Sequence, residues 1–419
     1  MAYILSHSSF YYVNILARAK KIIYNKKIEL KLDQNRIWRN KMEIYFDNSA
    51  TTQTDDEVAR HGLEIMTKEY GNPSSLHQKG FEAEKIFNKA KQTLAKTIGA
   101  SEEEIIFTSC GTESNNLAIF GSALALKKRG NRIVTTALEH PAVLEPMKKL
   151  EEMGFELVVV PSNENGSVDE EEFLSAINDK TILASMMYVN NEVGSILPVE
   201  RVFSRIKRDF PLCQTHCDFV QGYGKLRIKL SKMHIDFLSI SGHKIHAPKG
   251  IGALYIKKGS KIKPILYGGG QQGKMRSGTE SVPLASMLSL AGEMAYASLD
   301  KDEKLMAEIK SYLTSEIKKL DGARINSPED SVSCILNFSC RGIRSEIMLH
   351  FLESKGIYVS SGSACSRGES SPVLRAMGIK REDADSAIRL SFSRYNTLDE
   401  AKIFVDALRE ANEKILRVK

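Results

Sequence analysis

Residues 235–252 read Ile235-Asp-Phe-Leu-Ser-Ile-Ser-Gly-His-Lys-Ile-His-Ala-Pro-Lys-Gly-Ile-Gly252, a short apolar run followed by a lysine among small and polar residues. The run is typical of a buried strand, and Lys244 at its exit is placed to project an amine into a site. For Schiff-base chemistry the amine must lose its proton, and lowering a lysine pKa by about three units corresponds to roughly 4 kcal/mol. The alternative is a lysine that is simply exposed to solvent.

Similar apolar, β-branched runs recur along the chain on both sides of this stretch. They lie at 105–108, 132–136, 155–160, 182–189 and 251–256, and helical patterns lie between them at 81–98, 113–129, 141–152, 168–179 and 199–209. Alternating strands and helices predict an α/β domain with a mainly parallel sheet. Such sheets bind ligands at the carboxyl ends of their strands.

From about residue 300 the pattern changes to a long charged helix over 301–320, a strand-like Cys334-Ile-Leu-Asn-Phe338 and further helices. This change indicates a smaller α+β domain. We therefore expect residues 57–299 to form a large domain, and residues 42–56 together with 300–419 to form the small one.

The charge of the chain is unevenly distributed. Its 419 residues include 59 Lys and Arg and 52 Asp and Glu, for a net charge of +7, and residues 1–41 alone hold nine basic and two acidic side chains. The remainder is formally neutral, so global basicity gives no reason to expect nucleic-acid binding. We expect residues 1–41 to be a basic extension outside the fold, with Met42 as the start of the functional chain.

Composition also limits the cellular setting. A content of 42% hydrophobic and 26% charged residues is ordinary for a soluble globular protein, and no run reaches the roughly 18 apolar residues that a membrane span requires. The six cysteines include no C-x-x-C pair. We therefore expect free thiols in a reducing compartment and a cytoplasmic location.

The segment Phe107-Thr-Ser-Cys-Gly-Thr-Glu-Ser-Asn-Asn116 predicts a phosphate site. A strand ends there in a small-residue turn, and a helix is expected to begin at about Glu113, so its first N–H groups and positive dipole end would face a ligand. Gly111 would allow close backbone approach and Thr112 would offer a hydroxyl. The alternative is a plain N-cap turn.

Another segment resembles a nucleotide P-loop. Gly268-Gly-Gly-Gln-Gln-Gly-Lys274 is followed by Met275, where that motif requires Ser or Thr to hold magnesium. ATP binding is rejected on this ground.

Thr215-His-Cys-Asp-Phe-Val-Gln221 places a carboxylate, Asp218, at the end of another strand. Asp218 could keep a pyridinium nitrogen protonated, and Gln221 could reach a phenolic ring oxygen. Zinc binding by Cys213, His216 and Cys217 is the alternative, although their spacing is not that of a recognised metal site.

Two further residues are candidates for chemistry. His140 precedes Pro141 and is expected to cap a helix, where its imidazole could stack on a ring and shuttle protons or serve as no more than a cap. Cys365 lies in the Ser/Gly-rich stretch Val359-Ser-Ser-Gly-Ser-Ala-Cys-Ser-Arg-Gly-Glu-Ser-Ser371. We expect that stretch to be a mobile surface loop, which suits a nucleophile that enters a site and leaves it with cargo.

In this order, these segments resemble the pyridoxal-phosphate-dependent cysteine desulfurases, from about Glu43 to the C-terminus. The resemblance rests on ten stretches: Asp47-Asn-Ser-Ala-Thr-Thr52, Tyr70-Gly-Asn-Pro-Ser-Ser75, the turn from Cys110 to Asn115, Leu138-Glu-His-Pro-Ala-Val143, Val189-Asn-Asn-Glu-Val-Gly194, Asp218 with Gln221, Ser241 to Gly252, Arg276-Ser-Gly-Thr279, Ser361 to Ser366 and Ile388-Arg-Leu-Ser391. It implies the pyridoxal-phosphate-dependent transferase fold of type I, with a seven-stranded sheet in the large domain.

The resemblance also implies a role for each matching residue. Lys244 would carry pyridoxal 5'-phosphate as a Schiff base and move the substrate's α-proton, Asp218 would pair with the ring nitrogen, Gln221 would bond the ring oxygen, and His140 would stack on the ring. The phosphate would be held by Gly111, Thr112, Ser241 and His243, and by Thr279 of a neighbouring subunit. Asn190 would bind the cofactor and substrate, Asn48 and Arg389 the substrate.

The implied activity is the conversion of L-cysteine to L-alanine, with the sulfur held on Cys365 as a persulfide that could transiently ligate iron. The implied partners are a second copy of the chain and sulfur-acceptor proteins, namely an iron–sulfur scaffold or a tRNA-thiolating enzyme. We expect no direct binding of nucleic acid or membrane. A selenocysteine lyase or related lyase of the same fold is the alternative enzyme, and a scaffold without activity is the non-enzymatic one.

Overall fold

The structure is a computed structural model that describes residues 43–361 and 371–415. The internal contacts divide the chain into residues 1–44 and residues 45–419, and the site described below lies in the second unit. The predicted extension of residues 1–41 and the predicted Cys365 loop therefore lie outside the described residues. The predicted division into a domain of residues 57–299 and a domain of residues 42–56 with 300–419 stays a prediction.

The strands of the described residues are short. They are β1 (Ile44–Tyr45), β2 (Ile105–Thr108), β3 (Arg132–Thr136), β4 (Glu156–Val160), β5 (Thr181–Ser185), β6 (Gln214–Asp218), β7 (Phe237–Ser241), β8 (Gly252–Ile256), β9 (Ala323–Ile325), β10 (Ile335–Cys340), β11 (Ile357–Tyr358) and β12 (Ala387–Ser391).

The helices vary more in length. They are α1 (Asp56–Lys68), α2 (Gln78–Ile98), α3 (Gly111–Leu126), α4 (Pro141–Glu152), α5 (Glu170–Ser175), α6 (Val199–Asp209), α7 (Leu230–Met233), α8 (Val282–Ile317), α9 (Ser345–Ser354), α10 (Pro372–Ala376), α11 (Arg381–Ala384) and α12 (Leu398–Lys414). Short 3-10 turns occupy Glu102–Glu104, Gly242–Lys244 and Gln272–Lys274.

A seven-stranded sheet forms the centre of the fold, in the order β2-β8-β7-β6-β5-β3-β4. The pairs from β7 through β4 are parallel, and β8 is antiparallel to both of its neighbours. The expected α/β fold with a mainly parallel seven-stranded sheet is confirmed. Every residue of β5, β6 and β7 is buried, as expected of strands covered by helices on both faces.

The strand order brings separate stretches of sequence to one edge of this sheet. β3, β5, β6 and β7 run in the same direction, so their carboxyl ends lie side by side and the residues that follow them meet there. β2 has the same direction, because it is antiparallel to β8 in the same way as β7. The turns after these five strands carry the chemically interesting side chains.

A second sheet lies in the C-terminal part of the chain. It is antiparallel, with the order β12-β10-β9, and Asn337 of β10 is in register with Arg389 of β12. Phe46, just after β1, packs edge-on against Phe392 at a centroid distance of 5.3 Å and against Phe404 at 6.0 Å. These aromatic contacts hold Phe46 beside the end of the last strand.

Two helices differ most from the sequence prediction. The charged helix expected over 301–320 begins much earlier, because α8 is continuous from Val282, and its N-terminal half is apolar enough to be buried on several sides. The helix expected over 168–179 is limited to Glu170–Ser175. The chain turns after it, where Asn178 Oδ1 accepts a hydrogen bond from the Lys180 amide at 2.9 Å.

Among the described residues, no helix combines the length and the apolar character that crossing a membrane would require.

Candidate functional site

A cavity of about 340 Å³ lies at the carboxyl ends of the parallel strands. Residues from the turns after five strands line it, and they include Gly111, Thr112, His140, Asn191, Asp218, Gln221, Ser241, His243 and Lys244. Arg389 of β12, Ser49 and Val373 of α10 add walls from other parts of the chain. The structure thus brings together most of the residues that the sequence predicts.

Lys244 ends the 3-10 turn that directly follows β7, as the opening stretch of sequence predicts. Its Nζ donates hydrogen bonds to the carbonyl oxygens of Ser49 at 2.6 Å and Ala50 at 2.8 Å. Burial lowers the pKa of Lys244 to about 7, with further lowering by the positive charges of Lys225 and Arg389. The alternative of a lysine that is simply exposed to solvent does not fit this position, because the side chain lines the cavity and two carbonyl oxygens hold its amine. A pKa of about 7 leaves a substantial fraction of the amine neutral near pH 7.

Asp47 and Asp218 oppose this effect, since both carboxylates raise the pKa of Lys244. They do not outweigh burial and the two cations. The neutral amine that Schiff-base chemistry needs is therefore a product of the site itself.

Helix α3 begins at Gly111, with Cys110 as its N-cap residue, two residues before the predicted start at Glu113. A Cβ on Gly111 would come within 2.8 Å of Val220 Cγ2 and within 3.2 Å of Ser241 Cβ. The absence of a side chain keeps this space open where the first helical N–H groups face the cavity.

Ser241, the last residue of β7, has its hydroxyl beside this helix start. The hydroxyl oxygen is buried and has no hydrogen-bond partner in the part of the chain that the structure describes. Nearby, His243 Nδ1 lies 3.2 Å from Thr51 Oγ1, and burial lowers the pKa of His243 to about 4, helped by Lys244. A helix N-terminus, an unpartnered hydroxyl and neutral imidazole suit an anionic ligand group.

Asp218 is the last residue of β6, as predicted, and both of its carboxylate oxygens are fixed. Oδ2 accepts a hydrogen bond from Asn115 Nδ2 at 2.8 Å, and Oδ1 accepts one from the Val220 amide at 3.0 Å. Sequence reasoning did not assign a role to Asn115. Its position four residues after Gly111 places both on the same face of α3, and that spacing is the signal that could have found it.

His140 is the N-cap residue of α4, as predicted, and its Nδ1 accepts a hydrogen bond from the Ala142 amide at 3.0 Å. Burial lowers the pKa of His140; Asp218 raises it and Lys244 lowers it further. The ring is therefore neutral near pH 7, with Nε2 carrying the proton, since Nδ1 acts as an acceptor.

Glu139, immediately before His140, is a site residue that sequence reasoning missed. Its Oε1 accepts hydrogen bonds from the Met187 amide at 2.6 Å and from Thr136 Oγ1 at 3.2 Å, whereas Oε2 has no partner among the described residues. Burial raises the pKa of Glu139 to about 8, and the Asp218 carboxylate adds to the rise. The carboxyl group of Glu139, which is protonated near pH 7, thus lines the cavity together with Asp218.

Arg389 is 3% exposed and brings its guanidinium into the cavity wall from β12. Nη2 donates to Asp47 Oδ1 at 2.7 Å, and Nη1 donates to the Asn191 carbonyl oxygen at 3.1 Å. These bonds fix the plane of the guanidinium. Such a fixed cation suits bidentate recognition of a carboxylate.

Glu192 is a second acidic residue of the cavity that sequence reasoning did not single out. Its Oε2 accepts a hydrogen bond from the Ser371 hydroxyl. Burial raises the pKa of Glu192 to about 7, although the Ser371 bond and Arg389 lower it. Glu192 therefore joins the turn after β5 to the start of α10, where Ser371 is the N-cap residue.

The structure does not bring two predicted substrate residues to the cavity. The Asn190 amide is fully buried, donating to the Leu138 carbonyl at 3.1 Å and accepting from the Glu192 and Val193 amides. Its neighbour Asn191 lines the cavity instead. Asn48 donates to the carbonyl of Ser391 at 2.9 Å, so both amides hold backbone in place.

Three other predictions have different outcomes. Thr279 is exposed and outside the cavity of its own chain, and Cys365 lies outside the described residues. His216, the middle residue of the zinc alternative, contacts serine hydroxyls through both ring nitrogens, Ser185 at 2.8 Å and Ser239 at 3.0 Å. Within residues 43–361 and 371–415, no three His, Cys, Asp or Glu side chains are grouped as metal ligands.

Known proteins are similar to this chain over most of its length. The family described as aminotransferase class-V matches residues 44–404. A protein named cysteine desulfurase IscS, from Dictyoglomus turgidum, is 39% identical over 379 residues, which cover 90% of this chain and 96% of that protein.

Two solved structures have the same fold. One, described as a NifS-like protein, has a TM-score of 0.85 and 40% identity and covers 89% of this chain and 100% of its own. The other, described as SspA in complex with cysteine, has a TM-score of 0.76 and 30% identity and covers 84% of this chain and 100% of its own.

Proposed function

Because the chain belongs to the class-V aminotransferase family, we propose that it is a pyridoxal-phosphate-dependent cysteine desulfurase, which converts L-cysteine to L-alanine and passes the sulfur to acceptor proteins. One observation carries the proposal: the Lys244 amine, with a pKa of about 7, shares a cavity with Asp218 and Arg389. An amine nucleophile, a partner for a ring nitrogen and a carboxylate-binding cation are what this chemistry requires.

The residues of the cavity fit pyridoxal phosphate. The open space at Gly111 and the unpartnered hydroxyl of Ser241 would receive the phosphate, together with Thr112 and His243. Asp218 would face the ring nitrogen, Gln221 the ring oxygen, and the neutral His140 the face of the ring. When bound, the cofactor supplies an electron sink for the carbon from which a proton is removed.

The chain's own residues would then bind and deprotonate the substrate. Arg389 would orient the carboxylate of L-cysteine, since Asp47 and Asn191 hold its guanidinium plane in position. Lys244 would take the α-proton, and a pKa near 7 allows it both to accept and to return a proton at neutral pH. Asn190 and Asn48 would act indirectly, because their amides hold the backbone of the turns that carry the cavity wall.

Sulfur transfer would use Cys365. Its thiolate would attack the sulfur of the bound cysteine, the carbon–sulfur bond would break, and the departing carbon would gain a proton to give L-alanine. Cys365 would be left as a persulfide, so one thiol and one cysteine give one persulfide and one alanine. The persulfide would then pass its sulfur to an iron–sulfur scaffold or a tRNA-thiolating enzyme, or transiently ligate iron.

We further propose a homodimer in the cytoplasm. Thr279 is exposed outside its own cavity, which is consistent with contact to a cofactor phosphate in a second subunit. Among the described residues, Cys110, Cys213, Cys217 and Cys334 form no disulfide, which suits a reducing compartment.

The decisive experiment combines a product assay with a colour measurement. Purified protein should bind pyridoxal phosphate, absorb visible light, and release alanine and sulfide from L-cysteine in the presence of a reductant. Cys365→Ala should lose sulfide release while keeping the absorbance. Cys213→Ala is the matched control, since Cys213 lies next to the amino end of β6, away from Asp218, and that variant should keep both properties.

Each possible failure has a distinct meaning. A colourless protein that does not bind the cofactor would refute the proposed enzyme. Sulfide release that survives in Cys365→Ala would refute the assigned nucleophile alone. Turnover of selenocysteine but not cysteine would identify the alternative lyase.

A further inference from the structure

Lys225 is partly buried beside the active-site lysine, and neither the sequence motifs nor the proposed reaction gives it a role. It follows the strand end at Asp218 in a helical turn, in which the Lys225 amide donates to the Gly222 carbonyl at 3.1 Å. This turn includes Gly224, whose φ of 69° lies in the left-handed region, and it brings Lys225 back to Gln221, four residues earlier. Lys225 Nζ donates to Gln221 Oε1 at 2.6 Å.

That bond is the first of a chain that leads to Lys244. With its oxygen occupied by Lys225, Gln221 has its Nε2 oriented towards the Ser49 carbonyl oxygen, to which it donates at 3.0 Å. The same carbonyl oxygen accepts a hydrogen bond from Lys244 Nζ at 2.6 Å. The two lysines therefore share one hydrogen-bonded path through a glutamine and a backbone carbonyl.

The charges around the two lysines favour an electrostatic effect as well. Lys244 is faced by Lys225, Arg389, Asp47 and Asp218, and it affects the titration of His140 and His243. Of the charges that act on Lys244, the effect of Lys225 is the largest after burial. Lys225 itself is faced by Cys334 and Arg389, and burial lowers the pKa of Lys225.

We propose that Lys225 is a positioning residue for Lys244: through Gln221 it fixes the Ser49 carbonyl to which Lys244 donates, and its positive charge favours the neutral form of the Lys244 amine. This inference rests on the proposed function, because it assigns Lys244 as the reactive amine. Lys225 touches neither cofactor nor substrate in this proposal. It sets the fraction of the Lys244 amine that is neutral and therefore able to react. Lys225 also fixes the Gln221 amide, which would otherwise be free to turn over.

A merely structural Lys225 would act differently. If the side chain only held the turn after β6 in place, its loss would lower stability and leave the titration of Lys244 unchanged. The protonation of Lys244 in the protein without cofactor is therefore the readout that separates the two roles. That readout does not depend on whether the protein desulfurates cysteine.

The experiment uses the full chain after removal of pyridoxal phosphate with hydroxylamine. The rate at which trinitrobenzenesulfonate modifies Lys244 is measured from pH 5.5 to 9.5 by mass spectrometry of the peptide that contains it. The variants are Lys225→Met, which removes the charge, Lys225→Arg, which keeps it, and Lys232→Met as the control. Lys232 is exposed on α7, so Lys232→Met removes the same positive charge from the protein surface.

In Lys225→Met, the midpoint of the Lys244 titration should rise by about one pH unit, because a close like charge shifts a pKa by about that amount or more. At pH 6 the modification rate should fall about tenfold, since the neutral fraction falls in proportion. Lys225→Arg should keep a midpoint close to that of the wild type, and Lys232→Met should be unchanged. In the loaded protein, the pH at which the visible absorbance changes should rise in Lys225→Met alone.

An unchanged midpoint in Lys225→Met would overturn the inference, as would an equal shift in Lys225→Arg and Lys225→Met. Circular dichroism of each variant establishes that it is folded. If Lys225→Met does not fold, Lys225→Gln replaces it and is held to the same shift. A normal shift in a protein that fails to release sulfide would refute the proposed function and leave the coupling of the two lysines intact.

Discussion

Replacing Glu139 by glutamine should stabilise the protein without its cofactor, and the gain should grow with pH. Glutamine has the same shape and keeps the Oε1 acceptor for the Met187 amide and Thr136. The change is made at Oε2, which has no partner among the described residues. The substitution therefore removes the titration of a buried carboxyl group while preserving its existing hydrogen bonds.

The magnitude follows from the pKa of Glu139, which burial raises from 4.5 to about 8. A carboxyl group whose pKa is higher in the folded than in the unfolded state holds its proton on folding. It therefore costs stability above pH 4.5, and the cost stops growing above pH 8. Between these values the cost rises by about 1.4 kcal/mol per pH unit. From pH 5 to pH 7.5 the advantage of Glu139→Gln should thus increase by about 3 kcal/mol.

Urea unfolding of both proteins, followed by circular dichroism at pH 5, 6 and 7.5, measures this difference. Taking the difference between two proteins at each pH cancels the titration of all other groups. Glu151→Gln is the control, because Glu151 is an exposed residue of α4, and its advantage over the wild type should not change with pH. An advantage of Glu139→Gln that stays constant or shrinks from pH 5 to pH 7.5 would show that Glu139 is ionised in the folded protein and refute the reasoning.

Two further substitutions test the binding surfaces of the cavity. Arg389→Lys keeps the positive charge but loses the fork held by Asp47 and the Asn191 carbonyl; the KM for L-cysteine should rise roughly thirtyfold, equivalent to about 2 kcal/mol, with the visible absorbance unchanged. An unaltered KM would contradict carboxylate binding by Arg389. Gly111→Ala places a Cβ within 2.8 Å of Val220 Cγ2, so equilibrium dialysis should show pyridoxal phosphate bound about tenfold more weakly. Equal affinity in the two proteins would place the phosphate elsewhere.

Much of the fold and part of the site could be predicted from the sequence. Buried strands are short apolar runs, and the parallel order of strands brings their carboxyl ends together, so Asp218 and Lys244 could be placed at one edge before any coordinates. The continuity of α8 from Val282 could not, because its apolar N-terminal half and its charged C-terminal half have different patterns and resemble separate elements.

The groups that the sequence did not indicate are those whose properties depend on surroundings. Glu139 and Glu192 look like ordinary acids in the sequence, and only burial raises the pKa of each carboxyl group. Asn190 shows the opposite case, since its motif predicts a ligand, whereas its amide is committed to backbone partners. Whether a polar side chain has spare hydrogen-bonding capacity is decided by distant residues, and local sequence does not carry that information.

The pairing of Asp47 with Arg389 has a consequence for how the protein is made. These partners are 342 residues apart, and at typical rates of about 5 to 20 residues per second the ribosome needs roughly 17 to 70 seconds to synthesise the second after the first. The strands from β2 to β8 emerge during that interval. The cavity wall that fixes Arg389 can only be completed after Arg389 itself has been synthesised, so a nascent chain can acquire its central sheet well before it acquires a working active site.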